Sequence, residues 1–145
     1  MQTEIKKNEA SNFSRAKILI VDDDPELRMA LKLRLRANHY ETVSAGDGYS
    51  AIALAQKERP NLIILDLGLP VGNGFNVLKR LQENDALSHI PVIVLTARDP
   101  QSNELRSLDS GATAFFQKPA DNNELLQVIR ASLHSASAWG TTAPS

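Results

Sequence analysis

The chain has 145 residues, a formal net charge of −1 at pH 7 and a hydrophobic fraction of 42%, which fit one globular domain with a sizeable core. The near-zero net charge gives no reason to expect nucleic acid or an anionic membrane surface as a partner. The sequence contains no cysteine, which excludes disulfides and thiolate chemistry.

The chain begins with a polar, aperiodic segment at residues 1–15, which we predict to be a flexible tail. Lys6 and Lys7 are not followed by the apolar segment of a signal peptide. No later segment approaches the ~20 consecutive apolar residues that a membrane-spanning helix needs. We therefore expect a cytoplasmic protein that does not contact a membrane.

Short apolar runs then alternate with amphipathic stretches. We interpret the apolar runs as strands, namely KILIV at 17–21, ETVSA at 41–45, LIILD at 62–66, PVIVLT at 91–96 and AFFQK at 114–118. Helical spacing of apolar residues follows each run, first at Leu27, Leu31 and Leu35, then within 48–58, 75–82, 101–109 and 123–133. Five strand–helix repeats predict an α/β domain with helices on both faces of a parallel sheet of order 2-1-3-4-5.

The fourth helix, at 101–109, has the weakest apolar pattern. Only Leu105 and Leu108 are available for burial, and each contributes about 1.5–3 kcal/mol when buried. We therefore predict a weakly held helix that can shift.

The chain closes with small residues, glycine and proline at 135–145, which we predict to be a second flexible tail. The only tryptophan, Trp139, falls in this tail. The domain itself is thus expected at residues 16–134.

Polar side chains stand where four of the predicted strands end. They are Asp22, Asp23, Asp24, Asp66, Thr96 and Lys118. Asp24 precedes Pro25 and is explained as the N-cap of the next helix, so we leave it out of the chemistry. Asp66, Thr96 and Lys118 each have a structural explanation when taken alone. However, the carboxyl ends of parallel strands share one edge of a sheet, so we expect all except Asp24 to meet in one cleft.

The residue types in this predicted cleft suit phosphoryl transfer. Asp22, Asp23 and Asp66 form an all-oxygen cluster suited to Mg²⁺, with Mn²⁺ as the alternative ion, and the ion would offset the repulsion between the carboxylates. Lys118 adds a cation and Thr96 a hydroxyl donor, which can stabilise the charge of a transferred phosphoryl group. Asp66 would then be the nucleophile and form an aspartyl phosphate.

Four segments, in this order and spacing, resemble the receiver domain of two-component response regulators. They are VDDDP at 21–25, LIILDLGLPVGNG at 62–74, VIVLTA at 92–97 and FFQKP at 115–119. The resemblance covers residues 16–134 and implies a flavodoxin-like three-layer α/β/α sandwich. It also implies Mg²⁺-dependent phosphoryl transfer from a histidine kinase or a histidine phosphotransfer protein. Such a domain catalyses only its own phosphorylation and dephosphorylation, and it signals to a downstream protein target.

The resemblance also implies a role for each residue of the site. Asp66 would be the phosphoacceptor. Asp23 would bind the metal directly and Asp22 through water, and the backbone carbonyl of Gly68 would be a further ligand.

The same resemblance implies a switch. Thr96 would be the switch hydroxyl, Phe115 the switch aromatic and Lys118 the phosphoryl-binding lysine, with a cis bond before Pro119. When Thr96 moves toward the phosphoryl group, it would vacate space that Phe115 can fill, and the helix at 101–109 would respond.

Three other functions remain open at this point. A receiver-like interaction module could act without phosphorylation. A haloacid-dehalogenase-type phosphatase would use Asp22 as nucleophile and Asp24 as general acid, but it leaves Asp66 without a role. A flavin- or nucleotide-binding module is disfavoured, because three carboxylates after strand one would repel a phosphate that carries no metal.

Overall fold

The structure is a computed structural model that describes residues 15–70 and 73–142, with side chains described as far as residue 135. It contains five strands: β1 Lys17–Val21, β2 Glu41–Ala45, β3 Leu62–Leu65, β4 Val92–Thr96 and β5 Ala114–Gln117. All neighbouring strands pair in parallel, in the order β2-β1-β3-β4-β5. The predicted strand order is therefore confirmed, and every predicted strand lies within one residue of its observed bounds.

Five helices connect or follow the strands: α1 Pro25–Ala37, α2 Gly48–Glu58, α3 Gly74–Glu83, α4 Pro100–Asp109 and α5 Asn122–Thr142. The described helices include none that is both long enough and apolar enough to span a bilayer.

The core forms two layers, one on each face of the sheet. One layer packs α2 and α3 against the sheet, for example through Ile52, Leu78 and Leu81. The other packs α1 and α5 against the opposite face, for example through Leu35 and Ile129. The central strands β1, β3 and β4 are buried on both faces except at the first residue of β1. Their carboxyl ends therefore have fixed positions at one edge of a rigid sheet.

Helix α4 differs from our expectation. We predicted that it buries Leu105 and Leu108, but these side chains are 69% and 40% exposed. The buried residue is Ser107, whose hydroxyl donates a hydrogen bond of 2.6 Å to the carbonyl of Asn103. A small residue at this position lets the helix backbone approach its neighbours, so the face with the two leucines turns to solvent. The prediction of buried leucines was wrong.

Two local features shape the loops beside the sheet edge. Asp24 caps α1 by accepting hydrogen bonds from the backbone N–H groups of Glu26 and Leu27, as predicted. Gly74 begins α3, where a Cβ atom would lie 2.6 Å from the backbone oxygen of Asp66. Only glycine permits this close approach, which holds the start of α3 against the loop that follows β3.

The predicted N-terminal tail lies outside the described residues except for residue 15, whereas residues 135–142 of the predicted C-terminal tail are helical. Residues 1–14 and 143–145 lie outside the described residues, and so does the side chain of Trp139. Helix α5 continues to Thr142, beyond the boundary at residue 134 that we expected for the domain.

Candidate functional site

The register of β1 and β3 brings two of the predicted carboxylates together. Val21 pairs with Leu65, so Asp22 and Asp66 follow side by side, and the N–H of Asp66 bonds to the carbonyl of Val21 at 2.9 Å. Asp22 and Asp66 are buried, whereas Asp23 is exposed. One carboxylate oxygen from each of the three aspartates lies within 4.8 Å of the other two.

Lys118 reaches this cluster from the end of β5. Its Nζ lies 2.7 Å from Oδ2 of Asp22 and 3.3 Å from Oδ2 of Asp66. Its backbone N–H bonds to the carbonyl of Thr96 at 2.8 Å, and the bond to Pro119 is cis, as the resemblance implied. The lysine thus partly neutralises the two buried carboxylates.

The electrostatics of the site reflect this crowding of charge. Burial raises the pKa of Asp22, and the hydrogen bonds from Lys118 and from the N–H of Asp24 offset that rise only in part. Burial alone would lower the pKa of Lys118, but the hydrogen bond to Asp22 and the charges of Asp66 and Asp22 together raise it. The contact with Lys118 therefore favours the ionised form of Asp22 but does not cancel the effect of burial.

The remaining oxygens of the two buried carboxylates accept backbone hydrogen bonds. The N–H of Asp24 donates to Oδ1 of Asp22 at 2.9 Å, and the N–H of Gly68 donates to Oδ1 of Asp66 at 3.0 Å. These bonds fix the orientation of both carboxylates. The role of the Gly68 carbonyl as a metal ligand stays a prediction.

Thr96 and Phe115 lie on the neighbouring strands β4 and β5, and their role as a switch stays a prediction. Thr96 is buried at the end of β4, and its Oγ1 accepts a hydrogen bond from the N–H of Arg98 at 3.3 Å. Phe115 is partly buried and packs against the core layer under α2 and α3. Thr96 on β4 pairs with Gln117 on β5, and Phe115 lies two residues before Gln117. The two side chains are therefore carried by neighbouring, hydrogen-bonded strands.

The donor set fits a hard divalent cation. The three clustered groups are all carboxylates, and carboxylate oxygens with water are the ligands that Mg²⁺ prefers in proteins. Burial raises the pKa of Asp22 despite its contact with Lys118, so a bound cation would favour the ionised form of this carboxylate.

One residue at this site was missed by the sequence analysis. The sequence pattern assigned no role to Arg28, but its Nη1 lies 2.6 Å from the backbone oxygen of Asp22. Arg28 lies in the first turn of α1, but nothing in the sequence indicates that its side chain bonds to a backbone carbonyl.

Comparison with known proteins identifies the family. Residues 18–130 match the model of the response regulator receiver domain. The chain belongs to this family. Two-component response regulators receive signals through this domain, and its function in the family is to accept a phosphoryl group.

Curated relatives show the same membership. Response regulator PleD of Caulobacter vibrioides is 37% identical to this chain. The match covers 79% of this chain and 25% of PleD. The DNA-binding dual master transcriptional regulator RpaA of Synechocystis is 39% identical over 81% of the chain, which covers 48% of RpaA. Protein PilH of Pseudomonas aeruginosa is 34% identical over 81% of the chain and 98% of PilH. The chain thus spans a half or less of PleD and RpaA but nearly all of PilH.

Solved structures agree on the fold. A CheY-like receiver domain protein from Methanospirillum hungatei has a TM-score of 0.80 and 29% identity, covering 86% of this chain and 98% of that one. The chemotaxis response regulator CheY4 of Vibrio cholerae has a TM-score of 0.76 and 32% identity. The match covers 82% of this chain and 99% of the CheY4 chain. The flavodoxin-like fold is therefore confirmed.

The family match also excludes two of the three alternative functions. A receiver domain is a signalling domain, which excludes the dehalogenase-type phosphatase and the flavin-binding module as readings of this chain. The receiver family acts with histidine kinases and typically binds Mg²⁺. RpaA is named as DNA-binding, so our expectation that nucleic acid is not a partner stays a prediction for this chain.

Proposed function

We propose that Asp66 is the phosphoacceptor of this receiver domain. Its phosphodonor would be the phosphohistidine of a histidine kinase or of a histidine phosphotransfer protein. The observation that carries the proposal is the meeting of three carboxylates within 4.8 Å, with Lys118 bonded to two of them. We further propose that Asp22, Asp23, Asp66 and the carbonyl of Gly68 hold Mg²⁺, with Mn²⁺ as the alternative.

The proposed reaction is a direct transfer between two side chains. A carboxylate oxygen of Asp66 forms a bond to phosphorus, the bond from phosphorus to the donor histidine breaks, and the histidine nitrogen keeps the electron pair. When bound, Mg²⁺ supplies positive charge that neutralises the phosphoryl oxygens. The hydrogen bond from the N–H of Gly68 orients the attacking carboxylate before the donor arrives.

Lys118 and Thr96 would bind the transferred group. The raised pKa of Lys118 keeps its ammonium group charged at neutral pH, so it can pair with a phosphoryl oxygen after Asp66 is modified. Thr96 would donate its hydroxyl proton to another phosphoryl oxygen, and this is the movement that Phe115 follows. Catalysis by the domain is limited in this proposal to its own phosphorylation and dephosphorylation.

The proposed acceptor can be tested by intact mass. Incubation with Mg²⁺ and acetyl phosphate should add one phosphoryl group to the wild-type protein and none to Asp66→Asn. Asp85→Asn is a matched control, because Asp85 is exposed and lies outside the cluster. A phosphoryl gain in Asp66→Asn would refute the assignment, and no gain in wild type would favour an interaction module that acts without phosphorylation.

The output would be a change at α4 and β5 that a downstream protein target recognises. Helix α4 buries Ser107 rather than a leucine, which is consistent with an element that shifts at low cost. Beryllofluoride, which mimics the acyl phosphate, should therefore change amide exchange within residues 97–118. Identical exchange with and without the mimic would contradict the switch.

A further inference from the structure

Arg28 contacts the site through the backbone rather than through a carboxylate. Its Nη1 donates a hydrogen bond of 2.6 Å to the carbonyl oxygen of Asp22. The side chain is partly buried and extends from the first turn of α1 back over the end of β1. A guanidinium therefore holds the peptide group that joins Asp22 to Asp23.

This peptide group fixes the backbone position at which Asp23 begins. The carbonyl of Asp22 and the N–H of Asp23 lie in one rigid plane, so fixing the carbonyl also fixes the start of Asp23. The other polar groups of Asp22 bond to the carbonyl of Ala45, the N–H of Asp24 and Nζ of Lys118. Within the described residues, the exposed side chain of Asp23 makes no hydrogen bond or ion pair of its own.

The loop after β2 leaves room for this contact. A Cβ atom at Gly46 would lie 3.2 Å from Nη1 of Arg28 and 4.0 Å from the backbone oxygen of Asp22. The first distance is tight, so any larger residue at this position would press on the guanidinium. Gly46 and Arg28 thus fit together beside the acidic pair.

We infer that Arg28 is a positioning residue that sets Asp23 for divalent-cation binding by holding the peptide between Asp22 and Asp23. The inference rests on the proposed function, because it assigns Asp23 to the metal. Charge alone predicts the opposite effect, since a guanidinium near the cluster repels a cation. Removing Arg28 should tighten Mg²⁺ binding if its charge dominates and weaken it if its hydrogen bond dominates.

The test is a calorimetric Mg²⁺ titration of the full chain. Arg28→Met keeps most of the aliphatic stem and removes the donor, and it should raise the Kd for Mg²⁺ by about tenfold, as loss of an outer-shell partner commonly does. Arg28→Lys keeps a donor on a shorter side chain, so its Kd for Mg²⁺ should lie between those of the wild type and Arg28→Met. Arg34→Met is the matched control, because Arg34 is exposed on the same helix, and its Kd should stay at the wild-type value.

A second readout separates positioning from general destabilisation. Initial rates of Asp66 labelling by acetyl phosphate should fall for Arg28→Met at low Mg²⁺ and return to the wild-type rate at saturating Mg²⁺. A merely unfolded fraction would lower the rate at every Mg²⁺ concentration. An unchanged or lower Kd in Arg28→Met would overturn the inference, whereas a wild-type chain that binds no Mg²⁺ would overturn the proposed function itself.

Discussion

Asp22 carries its charge at a buried position beside two other carboxylates, with Lys118 as its ion-pair partner. Burial raises the pKa of Asp22 above its ordinary value of 3.8, so the ionised form is less favourable in the folded protein than in the unfolded chain. The site thus holds a charge that destabilises the metal-free fold at neutral pH, and the same charge is available to attract a cation.

Asp22→Asn should therefore raise the melting temperature of the protein in EDTA at pH 7. The difference in melting temperature between the variant and the wild type should narrow as the pH falls through the raised pKa of Asp22. Asp22 then becomes neutral in the folded wild type, so the two proteins carry the same charge at this position. Thermal unfolding followed by circular dichroism at several pH values measures both effects.

Asp47→Asn provides the contrasting control. Hydrogen bonds from the N–H and hydroxyl of Ser50 lower the pKa of Asp47, so its charge stabilises the fold above the pKa of the unfolded chain. The melting temperature of this variant should not rise. An equal rise in both variants would show that the effect is not specific to the buried site.

Helix α4 shows what periodicity in a sequence can and cannot specify. The spacing of Leu105 and Leu108 shows that they share a helix face, but it does not show which face turns toward the sheet. In α3 the apolar face is dense enough to determine the orientation, and Phe75, Leu78 and Leu81 are all buried. In α4, Arg106 instead covers the ring of Phe75 at 3.7 Å, and the leucines remain outside.

Leu105→Ala should consequently change the free energy of unfolding by no more than about 0.5 kcal/mol, as is usual for exposed positions. The same substitution at Leu81, which is buried in α3, should cost about 2–5 kcal/mol. Urea denaturation of both variants measures the difference. A loss above 2 kcal/mol in Leu105→Ala would mean that this face is covered in solution.

Most of the fold, and the meeting of the acidic residues, could be predicted from the sequence for a physical reason. Apolar runs buried on both faces indicate parallel strands, and parallel register places the residues after Val21 and Leu65 next to each other. The contact of Arg28 could not be predicted in this way. A long, flexible side chain goes where space and an acceptor allow, and both depend on Gly46 and on a carbonyl that only the tertiary structure places nearby.

At the scale of the whole molecule, the proposed metal site links ligand binding to folding. A ligand that binds only the folded state adds stability that grows with its concentration, about 1.4 kcal/mol at a tenfold excess over Kd. Mg²⁺ should therefore raise the melting temperature of the wild-type protein. Asp23→Asn should largely remove this rise while leaving the metal-free melting temperature nearly unchanged, because Asp23 is exposed.

Asp85→Asn should retain the full response to Mg²⁺, and K⁺ at the same ionic strength should give no rise in either protein. A rise of the same size in Asp23→Asn would argue against a role for Asp23 in holding the ion.

The ion pair between Lys118 and Asp22 joins positions that are 96 residues apart in sequence. During synthesis the acidic residues leave the ribosome early, but the lysine that completes their surroundings arrives only with the last strand. A chain synthesised only as far as β4 therefore has Asp22 without this ion-pair partner. The proposed phosphoryl site thus has its lysine only after β5, the last strand of the described domain, has been added.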